Sequence, residues 1–226
     1  MSDIAFALNY THLHQIKIPV LGWTYIGAGI QTVEPNPNET TDDSNYYDGE
    51  GLSATIVTGG QVTFAFKGHR KYGDPAQDYI ASLMLEYGSS RDVLYRWIGP
   101  DGETIEANAT IANIKSGGGD ANSKGTFEFD VRCNGRPKRI AGDATTFPDS
   151  ISATAVSVAI DATQAVGAVI TPTGASGSLR YVVEDDMIAH VSADGIVTGV
   201  KSGTTNLSIK SAVKPSISKE ITITVT

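Results

Sequence analysis

One stretch limits this chain more than any other. Asp74 to Gly88 is the only segment among 226 residues that reads as a helix. Asp74 can accept hydrogen bonds from the free N–H groups of a first turn. Pro75 stands where a missing donor costs nothing, and Gln77 holds the capping-box position three residues on. Gly88 supplies the stop. Between them Ala76, Tyr79, Ile80, Leu83, Met84 and Tyr87 recur at helical spacing on one broad face, with Gln77, Asp78, Ser82 and Glu86 on the other. A lone amphipathic helix of this kind must lie against sheet. The expectation is a mainly β chain with one flanking helix at about 74–87.

The remainder is written in strand-sized pieces. Ile16 to Ile30 is apolar and branched but broken by Pro19, Gly22, Gly27 and Gly29, which suggests one or two bent strands behind an extended arm. Glu34 to Gly51 is polar, carries Asp42, Asp43 and the Tyr46-Tyr47 pair, and reads as a long loop suited to adaptable contacts. Ser53–Val57 and Gln61–Lys67 flank Gly59-Gly60 as a hairpin would. Val93–Ile98 and Thr104–Ile114 flank the turn Gly99-Pro100-Asp101-Gly102. In the strand after the Lys115–Asp120 turn, Phe127, Phe129, Val131 and Cys133 share one face while Glu128, Asp130 and Arg132 share the other. The pattern is an α+β arrangement with mostly antiparallel pairing, roughly seven strands and a linker at Asn134–Ser150.

From Ile151 onward aromatics thin out and short alternating runs recur at sandwich-like intervals, so a second, all-β domain is expected. The division falls at 147/148, giving domains 1–147 and 148–226. Charge narrows the functions available. A formal charge of -8 and a pI near 4.9 argue against a grip on nucleic acid, which requires a basic face to displace counterions from phosphate. The single cysteine, Cys133, has no partner for a disulfide and reads as a buried thiol. The first ten residues show no basic start and no long apolar run. The expectation is therefore a protein made in the cytoplasm, with no membrane association.

The run Ile188-Ala-His-Val-Ser-Ala-Asp-Gly-Ile-Val-Thr-Gly-Val-Lys-Ser-Gly-Thr-Thr205 resembles the signature of bacterial immunoglobulin-like domains of group 2. Asp194-Gly195, Gly199 and Gly203 fall where that family places them, as do Val166-Gly167 and Thr171-Pro172. Tyr181 stands where the family often has tryptophan. Such domains decorate secreted adhesins and the virion proteins of tailed phages. The first part of the chain then looks like the major tail tube protein of long, non-contractile-tailed phages, most of all from Gly51 to Tyr87. It would be the β-sandwich or barrel-like, ring-forming domain of such a protein.

That resemblance implies a structural virion protein found in the phage tail, with no enzymatic activity and no cofactor. Its copies would stack as rings, usually hexameric, into a channel for DNA ejection, with the immunoglobulin-like domain facing outward. It implies partners as well: other copies of itself, the tape measure, the tail terminator and the distal tail protein. DNA would pass without being bound, and the outer domain would make weak contacts with host-surface glycans. Phe6, Tyr10, Asp42, Asp43, Tyr46 and Tyr47 are the candidate inter-subunit contacts. Glu128 and Asp130 are candidates for the lumen. The arm Met1–Gln15 and the loop Glu34–Gly51 are expected to order on stacking. A cell-surface adhesion protein and the tube of a bacterial injection system are the alternatives.

Signals for chemistry are weak. His12 and His14 share a strand face without a third ligand nearby and read as surface residues. Asp42-Asp43 and Asp185-Asp186 are neighbours on an extended chain and point apart. Gly117-Gly118-Gly119 lacks the Lys-Ser/Thr ending of a phosphate loop.

Overall fold

The structure is a computed structural model and describes residues 6–226. Its first strands are β1 (Leu13–Ile18), β2 (Gly22–Tyr25), β3 (Ile30–Asn36), β4 (Thr40–Asn45), β5 (Ser53–Gly59) and β6 (Thr63–His69). Helix α1 (Pro75–Ser82) follows, then β7 (Asp92–Ile98), β8 (Thr104–Ser116), β9 (Thr126–Cys133) and β10 (Lys138–Ile140). Nine further strands, β11 to β19, run from Ser150–Ser152 to Ser218–Val225. Two compact units emerge. One contains the described residues up to Gly27, Leu94–Glu106 and Lys138–Thr226; the other contains Ala28–Val93 and Ala107–Pro137. These units do not coincide with the division at 147/148 that the sequence suggests.

The second unit is built on the antiparallel order β8-β9-β6-β3. Alternation in β9 drives Phe127, Phe129, Val131 and Cys133 to the inside, where each is almost wholly buried. Phe66 opposes Phe129 in register and stacks on it with ring centroids 4.7 Å apart. Each of these rings contributes roughly 1.5–3 kcal/mol by leaving water.

Helix α1 starts at Pro75 because Asp74 is extended and its carboxylate accepts from the Gln77 N–H at 3.0 Å. It stops at Ser82, well before Gly88, and passes into a tight turn at Leu83–Leu85. The reason lies in Arg91. Its guanidinium donates to the carbonyls of Met84 (2.8 Å) and Glu86 (2.6 Å), acceptors that a longer helix would satisfy with its own N–H groups. Of the face the spacing suggests, Ala76, Ile80 and Leu83 are buried and Gln77 joins them, while Met84 and Tyr87, past the end of the helix, are exposed.

Gly59-Gly60 does not join a hairpin between its flanking strands. β5 pairs backward with β4, and β6 pairs with β9 and β3. Gly60 is needed for a close approach, since a Cβ there would lie 2.8 Å from the Pro37 carbonyl. The stretch Glu34–Gly51 is correspondingly not a loop: it contains the end of β3 and all of β4.

In the first unit β2-β1-β7 form an antiparallel set, and the C-terminal strands form small sheets of order β12-β19-β18-β15, β13-β17-β16 and β11-β14. Here β12 (Val156–Val158) lies parallel to β19, and β16 (Ala189–Val191) and β17 (Ile196–Gly199) are joined by the turn at Asp194-Gly195. Val197, Leu207, Ile209 and Ile223 sit at the centre of the apolar cluster between these sheets. Gly195 has φ +74°, and a Cβ on it would meet the Tyr181 ring at 2.7 Å, so turn geometry and packing both demand glycine.

The expected linker is structured. Lys138–Ile140 pairs with Thr104–Glu106, Ala144 N–H donates to the Asp101 carbonyl at 3.0 Å, and a Cβ on Gly142 would fall 2.1 Å from the Glu103 nitrogen.

Candidate assembly interface

Strands β4 and β5 form a two-stranded ribbon with Asp42 opposite Ile56 and Asp43 opposite Thr55. Every residue of the two strands is exposed except the half-buried Ser44. Its tip carries Tyr46 and Tyr47, the latter fully exposed, before a short turn in which Glu50 and Gly51 take positive φ. Leu52, Ile56 and Val57 add exposed apolar surface on the returning strand. An isolated two-stranded ribbon is at best marginally stable in water, so one that buries neither face needs a second surface.

The base of the ribbon is firmly built. Asn38 (φ 45°) donates from Nδ2 to the Gln61 carbonyl at 2.8 Å and the Thr63 hydroxyl at 3.0 Å, and the Asp43 carboxylate accepts from Thr55 at 2.7 Å. Asp42, Asp43, Tyr46 and Tyr47 are thus brought together on one projection. Asp48, Glu50, Leu52, Ile56 and Val57 belong with them, and the Asp48-Gly49 dipeptide is the hairpin signal that could have revealed this. Phe6 and Tyr10 lie elsewhere, both exposed, and the carbonyl of Tyr10 accepts from Arg180. The part of the arm before Phe6 lies outside the described residues.

Glu128 and Asp130 sit on the polar face of β9, and both are neutralised locally. Lys115 Nζ lies 2.7 Å from Glu128. Asp130 accepts from Asn113 at 2.6 Å and pairs with Arg132 at 3.2 Å. Lys67, opposite Glu128 in register, lies 3.9 Å from Glu34. Three cations therefore answer three carboxylates on this face. Pairing among neighbouring strands balances the charge of this face.

Gln77 plays a larger part than a helix cap. Its side chain, 1% exposed, donates to the carbonyls of Ala28 and His69 (the latter at 3.1 Å) and accepts from the Lys71 N–H at 2.7 Å, joining two segments to the helix.

The histidines are not surface residues. His14 stacks on Trp97 (6.1 Å, 2°) and hydrogen-bonds the Tyr95 hydroxyl through Nδ1 at 2.7 Å, and His12 Nδ1 accepts from the Trp97 indole at 3.1 Å. Burial, with His12 as a lesser cause, pushes the His14 pKa down to about 3. Desolvation also lowers His12, against an opposing pull from Asp101. Both rings are neutral packing elements at pH 7. A cavity of about 420 Å³ opens beside His12, Trp97, Asp101 and Glu103. Its carboxylates are already engaged: Asp101 caps the Glu103 N–H at 3.0 Å, and Glu103 pairs with Arg139 at 2.7 Å. No group of three or more His, Cys, Asp or Glu that could hold a metal occurs among the described residues, and no helix among them is long and apolar enough to cross a membrane.

Residues 148–223 match the family model of the bacterial Ig-like domain (group 2). The Ig-like segment so defined takes in β11 to β18 and most of β19. Among curated proteins, none matches the sequence. Among solved structures, the fold is similar to a chain in the tail of an empty GTA particle with C6 symmetry, at TM-score 0.50 and 15% identity. That likeness covers 59% of this chain and 98% of the other, a share of this chain larger than residues 148–226 could supply. It therefore draws on the residues before the Ig-like segment. Fainter likenesses are to a chain in the virion of a native gene transfer agent particle (17% identity, TM-score 0.46, 57% of this chain and 95% of the other). A chain in the sheath-tube complex of an extracellular contractile injection system is similar at 16% identity and TM-score 0.41, over 62% and 95%.

Proposed function

We propose that this chain is the subunit of a phage tail tube: a non-enzymatic protein whose copies assemble into stacked, hexameric rings, with residues 1–147 forming the tube and 148–226 decorating its outside. The observation that carries this reading is the β4–β5 ribbon, a projection whose apolar and aromatic side chains stay exposed among the described residues. The likeness in fold to a chain in the tail of a GTA particle supports the same reading. Rings of such subunits would join the tape measure, terminator and distal tail proteins, and the Ig-like segment would touch host glycans through many weak contacts.

On this reading Glu128 and Asp130 face the bore, and the pairing described above refines how a conduit avoids holding DNA. A strongly basic wall would trap phosphate by counterion release. A wall whose charges are matched in pairs has little left for the phosphates to bind. Negative-stain electron microscopy of the concentrated purified protein tests the assembly directly. Rings or tubes are expected; a chain that stays monomeric at every concentration and is absent from tails in its own particle would refute it.

A further inference from the structure

Strand β2 is short and lies at the end of its set, and its outer edge has a specific orientation. Ile26 N–H donates to the His14 carbonyl at 2.7 Å, so Ile26, Thr24 and Gly22 address β1 with their backbones. The N–H and C=O groups of Trp23 and Tyr25 therefore point outward, as a ready template for another strand. In this structure the edge is occupied. Ala193 N–H, in the turn between β16 and β17, donates to the Trp23 carbonyl at 2.7 Å. A Cβ on Gly22 would lie 3.9 Å from the Cβ of Ser192, so the turn runs directly alongside.

One arginine holds the turn and a second holds the far end of the edge. Arg96 of β7 donates from Nε to the buried Gln15 at 2.8 Å and from Nη2 to Asp194 at 2.6 Å, and its guanidinium lies 4.3 Å over the Trp23 ring. Arg180 lies 4.7 Å over the Tyr25 ring and donates to the Tyr10 carbonyl. The arginine side chain at the centre is only 14% exposed, so its contact with Asp194 is shielded more than a surface ion pair. Both outward-facing residues of β2 are thus clamped by their side chains, and one of their carbonyls is already taken.

We propose that the Ig-like segment acts as an edge guard: its Ser192–Gly195 turn covers the outer edge of β2 and withholds that edge from strand pairing with a second copy of the chain. The segment then has a duty within its own subunit besides any outward contact. The geometry of β2 carries this inference, which does not require the tube reading.

The test uses the full chain. Asp194→Asn keeps a residue suited to the turn before Gly195 while removing the charge that meets Arg96, and Arg180→Gln removes the clamp on Tyr25. In the double variant, exchange of the Ala193 amide, followed by NMR on dilute monomer, should speed up at least tenfold. Self-association by sedimentation velocity should begin at a concentration several-fold lower than in the parent. Adding Gly22→Cys and Ser192→Cys places two thiols at a Cβ separation suited to a disulfide, with some strain because Gly22 has φ +73°. The oxidised form should lose the extra association, and reductant should restore it.

Unchanged Ala193 exchange in the double variant would overturn the clamp. Faster exchange without earlier self-association would overturn the guard, whatever the parent assembles into. A parent that never forms tubes, beside a variant that associates through β2, would sink the tube reading and leave the guard standing.

Discussion

His14 shows what burial does to a single titratable ring. Its folded pKa near 3 lies below the ordinary value of 6.5, so the folded state refuses a proton that the unfolded chain accepts. Stability is then fully present above pH 6.5 and is lost progressively as pH falls from there toward 3. At pH 4 the loss is on the order of 3 kcal/mol. His14→Gln keeps a hydrogen-bonding group near Tyr95 without the titration. Its urea midpoint should change much less between pH 7 and pH 4 than that of the parent; equal slopes would mean that His14 is not the group responsible. Gln77 is the other residue on which much depends. Gln77→Leu leaves the Ala28 and His69 carbonyls without their side-chain donor and the Lys71 N–H without its acceptor. A loss of about 2–4 kcal/mol in chemical denaturation is expected. Asp74→Ala removes one cap contact and should cost about 1 kcal/mol, part of the benefit being offset by the desolvation that raises the Asp74 pKa.

Elements were legible in the sequence where they bury something. The alternation of Phe127, Phe129 and Val131 in β9, and the Asp74-Pro75 start of α1, follow from residues whose burial or capping leaves a pattern. So does the Asp194-Gly195 turn with its neighbouring glycines. The β4–β5 ribbon leaves none. With both faces exposed, Thr40 to Asn45 has no reason to alternate, and it reads as loop although its backbone is fully paired with Ser53–Gly59. For the same reason Gly59-Gly60 reads as a hairpin turn although β5 and β6 do not pair. The end of α1 was hidden for a different reason, because Arg91 competes for carbonyls from outside the helix. Arg96 and Arg180 could not be singled out at all: each gains its role from residues that lie far away in sequence, Asp194 and Tyr10 among them.

At the scale of the whole molecule, charge and assembly oppose each other. Each copy carries a formal charge of -8, so any two copies that approach meet net repulsion. The ribbon concentrates this, with Asp42, Asp43, Asp48 and Glu50 and no lysine or arginine between Thr40 and Gly59. Its apolar side chains, by contrast, gain from contact regardless of ionic strength. If burial of Tyr46, Tyr47, Leu52, Ile56 and Val57 drives association, salt should help it, because screening shortens the reach of the repulsion to about 8 Å at 0.15 M. The concentration at which assemblies appear in light scattering should therefore fall several-fold between roughly 0.02 M and 0.3 M sodium chloride. Tyr47→Ser should raise it at every ionic strength while leaving the salt trend in place. The opposite trend would assign the contact to ion pairs, with the acidic ribbon of one copy seeking cations on the next. The exposed Arg136 and Lys138, held by no ion pair among the described residues, would be the first to exchange for glutamate. A salt response of either sign locates the force that joins two copies. An absent response, together with an unaltered Tyr47→Ser threshold, would remove the ribbon from the interface.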